Sequence, residues 1–144
     1  MKVKVTPSKV HGNIKIPASK SMAHRALICA SLSDGTSIVS NVTNSKDIEA
    51  TVGCMKALGA KIKQIDETTY EVTGTNLFKQ EGNITCNANE SGSTLRFLIP
   101  LAACTNAKVK FLGQGRLLQR PMDVYANEFK KQNIEFNQSD KEII

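Results

Sequence analysis

The sequence has no tryptophan, only 5% aromatic residues and no long apolar run among its 144 residues. Few aromatic rings leave few platforms on which nucleic-acid bases could stack, so we expect no nucleic-acid partner. No stretch has the roughly 18 consecutive apolar residues of a membrane span, or the apolar core of a signal peptide. We therefore expect a cytoplasmic protein without a membrane partner.

Side chains that bind metal ions are also scarce. The sequence has two histidines and four isolated cysteines, none of them in a Cys-x-x-Cys pair: His11, His24, Cys29, Cys54, Cys86 and Cys104. This spacing disfavours both a zinc site and a disulfide framework. We predict no metal site, thiols that are buried or half-buried, and a surface position for His24.

The formal net charge of +6 is unevenly distributed along the chain. Residues 1–40 hold six Lys or Arg against one Asp, residues 41–90 hold five against seven acidic residues, and residues 91–144 hold eight against five. A basic balance of this kind suits small polyanionic substrates, and in principle also an RNA. The cations are concentrated where the motifs described next occur.

The segment 19–25, Ser-Lys-Ser-Met-Ala-His-Arg, stands at the start of an apolar helical pattern. The first N–H groups of a helix lack intrahelical partners and carry the positive end of its dipole, so this position favours an anion. Lys20 adds a point charge, Ser21 a neutral donor and Arg25 a planar fork one turn later. From spacing alone, the serines could equally be helix caps.

A second segment, 89–96, repeats this pattern within a longer internal duplication. Gly-Asn-Ile at 12–14 recurs at 82–84, and the same offset aligns residues 20–21 with residues 90–91. Self-similarity at this period indicates a duplicated supersecondary unit.

Hydrophobic periodicity predicts an α+β fold. It predicts strands at 3–5, 13–16, 37–40, 62–65, 70–72, 84–86, 109–112 and 134–136. It predicts helices at 21–32, 46–58, 92–103 and 121–131, with Pro121 in the first helical position. The order gives a leading strand in 1–10 and two β-α-β-α-β-β units, 11–74 and 81–144. Because the second unit stops within a strand starting at 141, we expect a partial domain of a longer chain, with self-association of uncovered surfaces.

Three motifs in order carry a family resemblance. They are Ser-Lys-Ser at 19–21 with Arg25, Glu-Ser-Gly-Ser-Thr-Leu-Arg at 90–96, and Gly-Arg-Leu-Leu-Gln-Arg-Pro-Met-Asp at 115–123. The set resembles the 5-enolpyruvylshikimate-3-phosphate synthase family over about residues 5 to 136. The resemblance implies two of the three β-α-β-α-β-β units that build one domain of that fold.

The resemblance also implies a reaction. The family transfers the enolpyruvyl group of phosphoenolpyruvate to the 5-hydroxyl of shikimate 3-phosphate and releases phosphate, without a cofactor. The groups credited with proton transfer lie in the other domain, so the resemblance implies no catalytic residue here and an inactive chain by itself.

The site residues implied by the resemblance bind substrate. Lys20 corresponds to a lysine that bridges both substrates, and Ser21 and Arg25 to contacts of shikimate 3-phosphate. Gly92 corresponds to a glycine of the phosphoenolpyruvate pocket, which glyphosate also occupies, and Arg120 to an arginine that holds phosphoenolpyruvate.

Further candidates are Asp47, placed near the cleft, and four residues of the later motifs: Glu90, Ser91, Ser93 and Arg116. Many family members have Asn at the position of Glu90, and a carboxylate there would repel anionic substrates unless it is turned away or paired. We expect the neighbouring Arg96 to lie on the buried side of its helix in a structural hydrogen-bonding role.

Two alternatives remain open at this point. UDP-N-acetylglucosamine enolpyruvyl transferase shares the fold and chemistry, but it usually has a reactive cysteine in the loop that corresponds to 113–120, and this loop has none. The second alternative is a non-enzymatic anion-binding or RNA-binding module.

Overall fold

A computed structural model of the chain describes residues 2–9, 11–14 and 16–144. Its helices are α1 Lys20–Leu32, α2 Lys46–Ala57, α3 Gly92–Ala102 and α4 Asp123–Lys131. Its strands are β1 Thr36–Val39, β2 Lys61–Gln64, β3 Tyr70–Thr73, β4 Glu81–Asn87 and β5 Asn106–Leu112. Two short 3₁₀ helices, Leu77–Lys79 and Leu117–Gln119, lie between these elements.

Serine side chains determine where the first three helices begin. The Oγ atoms of Ser19, Ser45 and Ser91 each accept the backbone N–H group three residues later, at 3.2–3.3 Å. Each cap satisfies one N–H group that the helix itself leaves unpaired. The fourth helix has no side-chain cap and begins at Asp123, so the prediction that Pro121 opens it is wrong by two residues.

The strands form two separate sheets. In the first, β3 lies between β1 and β2 and pairs antiparallel with both, with Val72 opposite Ser37 and Ile62. In the second, β4 and β5 are parallel, as expected for strands joined through the α3 crossover, and Ile84 lies opposite Val109. The alternation of helices and strands confirms the predicted α+β fold class.

Three predicted strands do not form among the described residues. Residues 3–5, 13, 14, 16 and 134–136 belong to no strand, and Lys15 lies outside the described residues. Apolar alternation indicates which face a strand would bury, but a strand also needs a neighbour for its backbone N–H and C=O groups. Residues 134–136 pack instead through Phe136, whose ring lies edge-on to Phe129 at 5.7 Å between centroids.

The predicted strand at 141 is present as two isolated antiparallel bridges, in which Ile143 pairs with Phe111 and with Gln138. Ile143 exchanges both backbone hydrogen bonds with Phe111 of β5, at 2.7 and 3.0 Å, and its side chain is buried. In the first unit, β3 pairs with β1 in the same antiparallel sense. In both predicted units, therefore, the last segment pairs antiparallel with the strand that follows the first helix.

Helices α1, α2 and α3 pack against one another and bring their N-terminal turns together. Large side chains that are buried from solvent fill the space between them and the sheets, including Leu27, Ile48, Met55, Leu95 and Leu98. His24 is also buried, at 1% exposure, so the prediction of a surface histidine is wrong.

Candidate functional site

The first turns of α1, α2 and α3 meet at Asp47. The Nζ atom of Lys20 in α1 donates to the Oδ2 atom of Asp47 at 2.5 Å. The hydroxyl of Thr94 in α3 donates to the backbone carbonyl of the same aspartate at 3.3 Å. Three helix N-termini in contact give this side of the molecule a concentration of unpaired N–H groups and positive dipole ends.

Arg25 extends from α1 towards α3. Its Nη1 atom donates to the Ser21 carbonyl at 2.9 Å, and its Cζ atom lies 4.9 Å from the centroid of the Phe97 ring. The cation–π contact holds the guanidinium plane while leaving other N–H donors of the fork exposed. Ser21 and Arg25 are therefore neighbours as predicted, although the bond between them uses the serine carbonyl rather than its hydroxyl.

A cavity of about 400 Å³ opens beside this contact. Its lining includes five of the predicted site residues together with two others: Asp47, Glu90, Gly92, Ser93, Arg120, Arg96 and Phe97. Lys20 is connected to this lining through Asp47, and Arg25 through Phe97. Residues from three distant parts of the sequence thus surround one open cavity. Four cations outnumber two carboxylates there, and we refer to this set as the cationic surface: Lys20, Arg25, Arg96 and Arg120 with Asp47 and Glu90.

Gly92 and Arg120 are in close contact. A Cβ atom on Gly92 would lie 2.3 Å from the Nη1 atom of Arg120, which is closer than any real Cβ contact. The missing side chain lets the Arg120 guanidinium lie beside the first turn of α3.

Helix N-termini and cations in this arrangement suit an anion. Comparisons with known proteins identify the family of the chain. A family model described as EPSP synthase (3-phosphoshikimate 1-carboxyvinyltransferase) matches residues 4–144. The chain belongs to the EPSP synthase family. The resemblance carried by the three motifs is thereby confirmed, and the UDP-N-acetylglucosamine enolpyruvyl transferase alternative is not favoured.

Curated relatives support the same assignment to the EPSP synthase family. The 3-phosphoshikimate 1-carboxyvinyltransferase of Clostridium perfringens is 46% identical over 142 residues, which are 99% of this chain and 33% of that protein. The protein of the same name from Clostridium kluyveri is 48% identical over 132 residues, which are 92% of this chain and 30% of that protein. The chain spans about a third of the length of the curated relatives it matches.

A solved structure shows the same fold. EPSP synthase from Acinetobacter baumannii matches with a TM-score of 0.73 and 19% sequence identity, over 92% of this chain and 32% of that chain. This chain thus matches about a third of that structure.

Within this EPSP synthase domain, the loop with Glu90 is tied to the loop after β5. Backbone bonds join Ala88 to Leu112 at 2.9 Å and Gln114 to Asn89 at 2.6 Å. The Glu90 carboxylate packs against Gly115, where a Cβ would lie 3.0 Å from its Oε1 atom. Glu90 thus lines the cavity next to the loop after β5, where its carboxylate reduces the net positive charge.

Five predicted site residues do not line the cavity: Lys20, Ser21 and Arg25 on α1, and Ser91 and Arg116. Ser91 is buried as the cap of α3, and its Oγ atom accepts from the backbone and the hydroxyl of Thr94. Arg116 is exposed just before the second 3₁₀ helix and is not part of the lining. Ser91 therefore supports the site as the cap of α3, and Arg116 does not contact the cavity.

Sequence reasoning missed Arg96 and Phe97. Arg96 is exposed and lines the cavity, so the expectation of a buried, structural side chain is wrong. The structural hydrogen bond at this position comes from its backbone carbonyl, which accepts from the Tyr125 hydroxyl at 3.0 Å. The spacing contained a usable signal, because residues 92 and 96 lie on one face of a helix.

The buried His24 lies directly below the cationic surface. Burial lowers the pKa of its imidazole. The charge of Asp47 opposes this shift in pKa, whereas the charges of Lys20 and Arg25 add to it. The ring is therefore held in its neutral form among groups that carry charge.

Other features of the described residues are less informative. A cavity of about 460 Å³ beside β5 and α4 is lined mainly by apolar side chains and shares no residue with the cationic one. Across residues 2–9, 11–14 and 16–144, no helix has the length and apolar character needed to cross a membrane. In the same residues, no three or more His, Cys, Asp or Glu side chains are grouped as metal ligands.

Proposed function

We propose that this chain is the substrate-binding part of an EPSP synthase, which transfers the enolpyruvyl group of phosphoenolpyruvate to the 5-hydroxyl of shikimate 3-phosphate. Family membership supports this proposal. The observation that carries it is the convergence of Lys20, Arg25, Arg96 and Arg120 around the first turns of α1 and α3. Both substrates carry a phosphate and a carboxylate, which need this concentration of cations and N–H donors.

We assign shikimate 3-phosphate to the α1 side of the surface. Arg25 is already oriented by Ser21 and Phe97, so less side-chain freedom is lost when its guanidinium pairs with a phosphate. The Ser21 hydroxyl adds a neutral donor on the same side. Lys20 has to exchange Asp47 for the substrates, which places it between the two binding positions.

We assign phosphoenolpyruvate to the cavity at the start of α3. Gly92 allows close approach to the backbone there, and Arg120 supplies a fork that pairs with a carboxylate or phosphate in two hydrogen bonds. Ser93 and Arg96 line the same cavity. Glu90 also lines this cavity, and its carboxylate opposes anion binding unless it stays turned towards Gly115.

The proposed contribution of this chain to the reaction is positioning and charge stabilisation. The 5-hydroxyl oxygen loses its proton and adds to C2 of phosphoenolpyruvate while a proton is added to the methylene carbon. Phosphate then leaves C2 of the tetrahedral intermediate as the new methyl group loses a proton, which restores the carbon–carbon double bond. Fixed cations near the two phosphates bring the reacting atoms together and stabilise the charge that develops on the leaving phosphate. We assign no proton-transfer residue within these 144 residues and no cofactor.

We also propose a cytoplasmic location and two protein partners. One is the remainder of a longer chain, since the relatives extend over about three times this length. The other is a second copy of this chain, because large apolar side chains such as Ile38 and Val124 are exposed, at 60% and 73%. Sedimentation at increasing protein concentration tests self-association, and a strictly monomeric chain contradicts it.

Chemical-shift mapping with inorganic phosphate tests the proposed site. We expect perturbed amides at 19–25, a smaller response at 91–94, and loss of both in Arg25→Ala. Lys61→Ala is the matched control, because it removes an exposed cation on β2 outside the site. Perturbations that fall instead on 61–63 or 130–131, or that survive Arg25→Ala, contradict the assignment.

A further inference from the structure

Below the cationic surface, four polar side chains form a buried hydrogen-bonded chain. The Nδ1 atom of His24 lies 2.7 Å from the hydroxyl of Thr51, and that hydroxyl lies 2.7 Å from the hydroxyl of Thr94. The Thr94 hydroxyl lies 2.7 Å from the Oγ atom of Ser91. All four residues are at least 98% buried, and they connect α1, α2, α3 and the cap of α3.

The donor and acceptor directions along this network follow from its end at the Asp47 carbonyl. The backbone carbonyl of Asp47 can only accept, and Thr94 donates towards it and towards Ser91. The Thr94 hydroxyl has a single hydrogen and uses it for these two acceptors, so Thr94 accepts a hydrogen bond from Thr51, and Thr51 accepts one from the N–H group at Nδ1 of His24. This order leaves Nε2 as a bare acceptor, and this atom is buried without a hydrogen-bond partner among the described residues.

Thr94 connects the hydrogen-bonded network to both the Lys20 side and the Arg120 side of the site. Its hydroxyl contacts the carbonyl of Asp47, whose carboxylate holds Lys20. Its hydroxyl and backbone N–H also hold Ser91, the residue before Gly92. A shift of this hydroxyl thus moves the backbone at both the Lys20 side and the Arg120 side of the cavity.

We propose that His24 is a positioning residue, which acts through the hydroxyls of Thr51 and Thr94 to hold the N-termini of α2 and α3 in the geometry that binds anions. The proposal rests on the function proposed above. An apolar side chain of similar size in place of His24 would also fill the space between the helices, but apolar contacts do not fix an orientation. A chain of hydrogen bonds fixes both distance and orientation, and its members strengthen one another in a low dielectric.

Phosphate titrations of matched variants test this role. His24→Leu and Thr94→Val each remove a link, and we expect each to weaken phosphate binding by roughly 3- to 10-fold, the ratio that one net hydrogen bond supplies. The double variant is expected to be no weaker than either single variant, because one chain is broken in both cases. His24→Asn retains an N–H donor near the position of Nδ1, and we expect it to bind within about 2-fold of the unsubstituted chain.

Thr73→Val is the control for loss of a threonine pair. It removes a bond of 2.9 Å to Thr36 that lies on the first sheet, outside the network, and we expect unchanged phosphate binding. If His24→Leu fails to fold, Thr51→Val breaks the same chain with a side chain of nearly the same shape. Folded variants of the network that bind phosphate as the unsubstituted chain does overturn the proposal.

Two measurements without ligand separate this proposal from the proposed function. The amide signals of Gly92 and Ser93 are expected to shift in His24→Leu and to stay in place in His24→Asn. Long-range proton–nitrogen spectra of the imidazole are expected to show the proton on Nδ1. Unchanged amides in His24→Leu, or a proton on Nε2, overturn the positioning role. If the protein gives the expected amide shifts and the proton on Nδ1 but binds no phosphate, the result contradicts the proposed function alone.

Discussion

Arg120 occupies the space that a side chain on Gly92 would fill, because a Cβ atom on the glycine would lie 2.3 Å from the Nη1 atom of the arginine. The contact joins the first turn of α3 to the segment that precedes α4. It involves the far end of a flexible side chain, so a larger residue at 92 displaces the cation rather than the backbone. The absence of a side chain at one residue therefore sets the position of a charge 28 positions later.

Gly92→Ala is expected to weaken phosphoenolpyruvate binding while leaving the fold intact. Displacement of the Arg120 guanidinium removes a charge-assisted contact, which corresponds to a loss of about tenfold or more in affinity. The free energy of unfolding should change by less than about 1 kcal/mol, because alanine is the better helix residue. Calorimetric titration and urea unfolding measure the two quantities.

Gly53→Ala is the matched control for that substitution. A Cβ at this position in α2 would meet nothing within 4 Å, so we expect a gain of about 0.5–1 kcal/mol in stability and no change in affinity. Equal affinities for Gly92→Ala and Gly53→Ala would refute the proposed contact between Arg120 and the ligand.

Asp47→Asn is expected to tighten phosphate binding by about 2- to 5-fold, since Lys20 no longer has to leave an ion pair and one negative charge is removed from the site. Stability should change little, because the pair is partly exposed to solvent. Glu128→Gln, which breaks the exposed pair with Lys131 on α4, is the control and should leave affinity unchanged. Weaker binding in Asp47→Asn would show that the aspartate supports Lys20 rather than competing for it.

Stability is expected to fall on acidification below about pH 6.5, the ordinary pKa of histidine, because burial lowers the pKa of His24 in the native state. At higher pH both states hold a neutral ring. As the pH falls, the unfolded chain binds a proton that the native chain does not, until the pH reaches the lowered native pKa. Urea unfolding at pH 7.5 and 5.5 measures this loss, which should be smaller in His24→Asn. Identical pH dependence in both proteins would contradict a neutral, buried His24.

The chain by itself is expected to release no phosphate from phosphoenolpyruvate and shikimate 3-phosphate. General acid–base catalysis contributes about 10²–10⁴-fold, and none of the residues proposed for this site transfers a proton. A phosphate-release assay at high protein concentration measures any turnover. Turnover that Lys20→Ala abolishes would show that these 144 residues hold more of the catalytic machinery than proposed.

Local sequence signals predicted the helices better than the strands. The predicted bounds of α1, α2 and α3 lie within one residue of the observed bounds at each end, because apolar periodicity and end signals are local to each helix. Strand formation depends on a partner elsewhere in the chain. The alternating residues 3–5 therefore gave the same signal as true strands, yet they lie outside both sheets.

In the candidate site too, local motifs were easier to predict than contacts between distant residues. Lys20, Arg25, Gly92 and Arg120 belong to compact motifs and could be selected from the sequence. His24 was misplaced because its burial depends on Thr51, 27 residues later, and on Thr94, a further 43 residues along the chain. A histidine between a lysine and an arginine resembles a surface residue until the fold provides those partners.

The dissociation constant of shikimate 3-phosphate, measured by calorimetry for the unsubstituted chain, Arg25→Ala and Lys61→Ala, tests the central claim most directly. We expect weak, salt-sensitive binding to the unsubstituted chain and to Lys61→Ala, because the site is open to screening over about 8–10 Å. We expect a loss of about tenfold or more in Arg25→Ala, which removes a charge-assisted fork at the start of α1. Equal affinities in all three proteins would contradict a specific anion site at these helix N-termini.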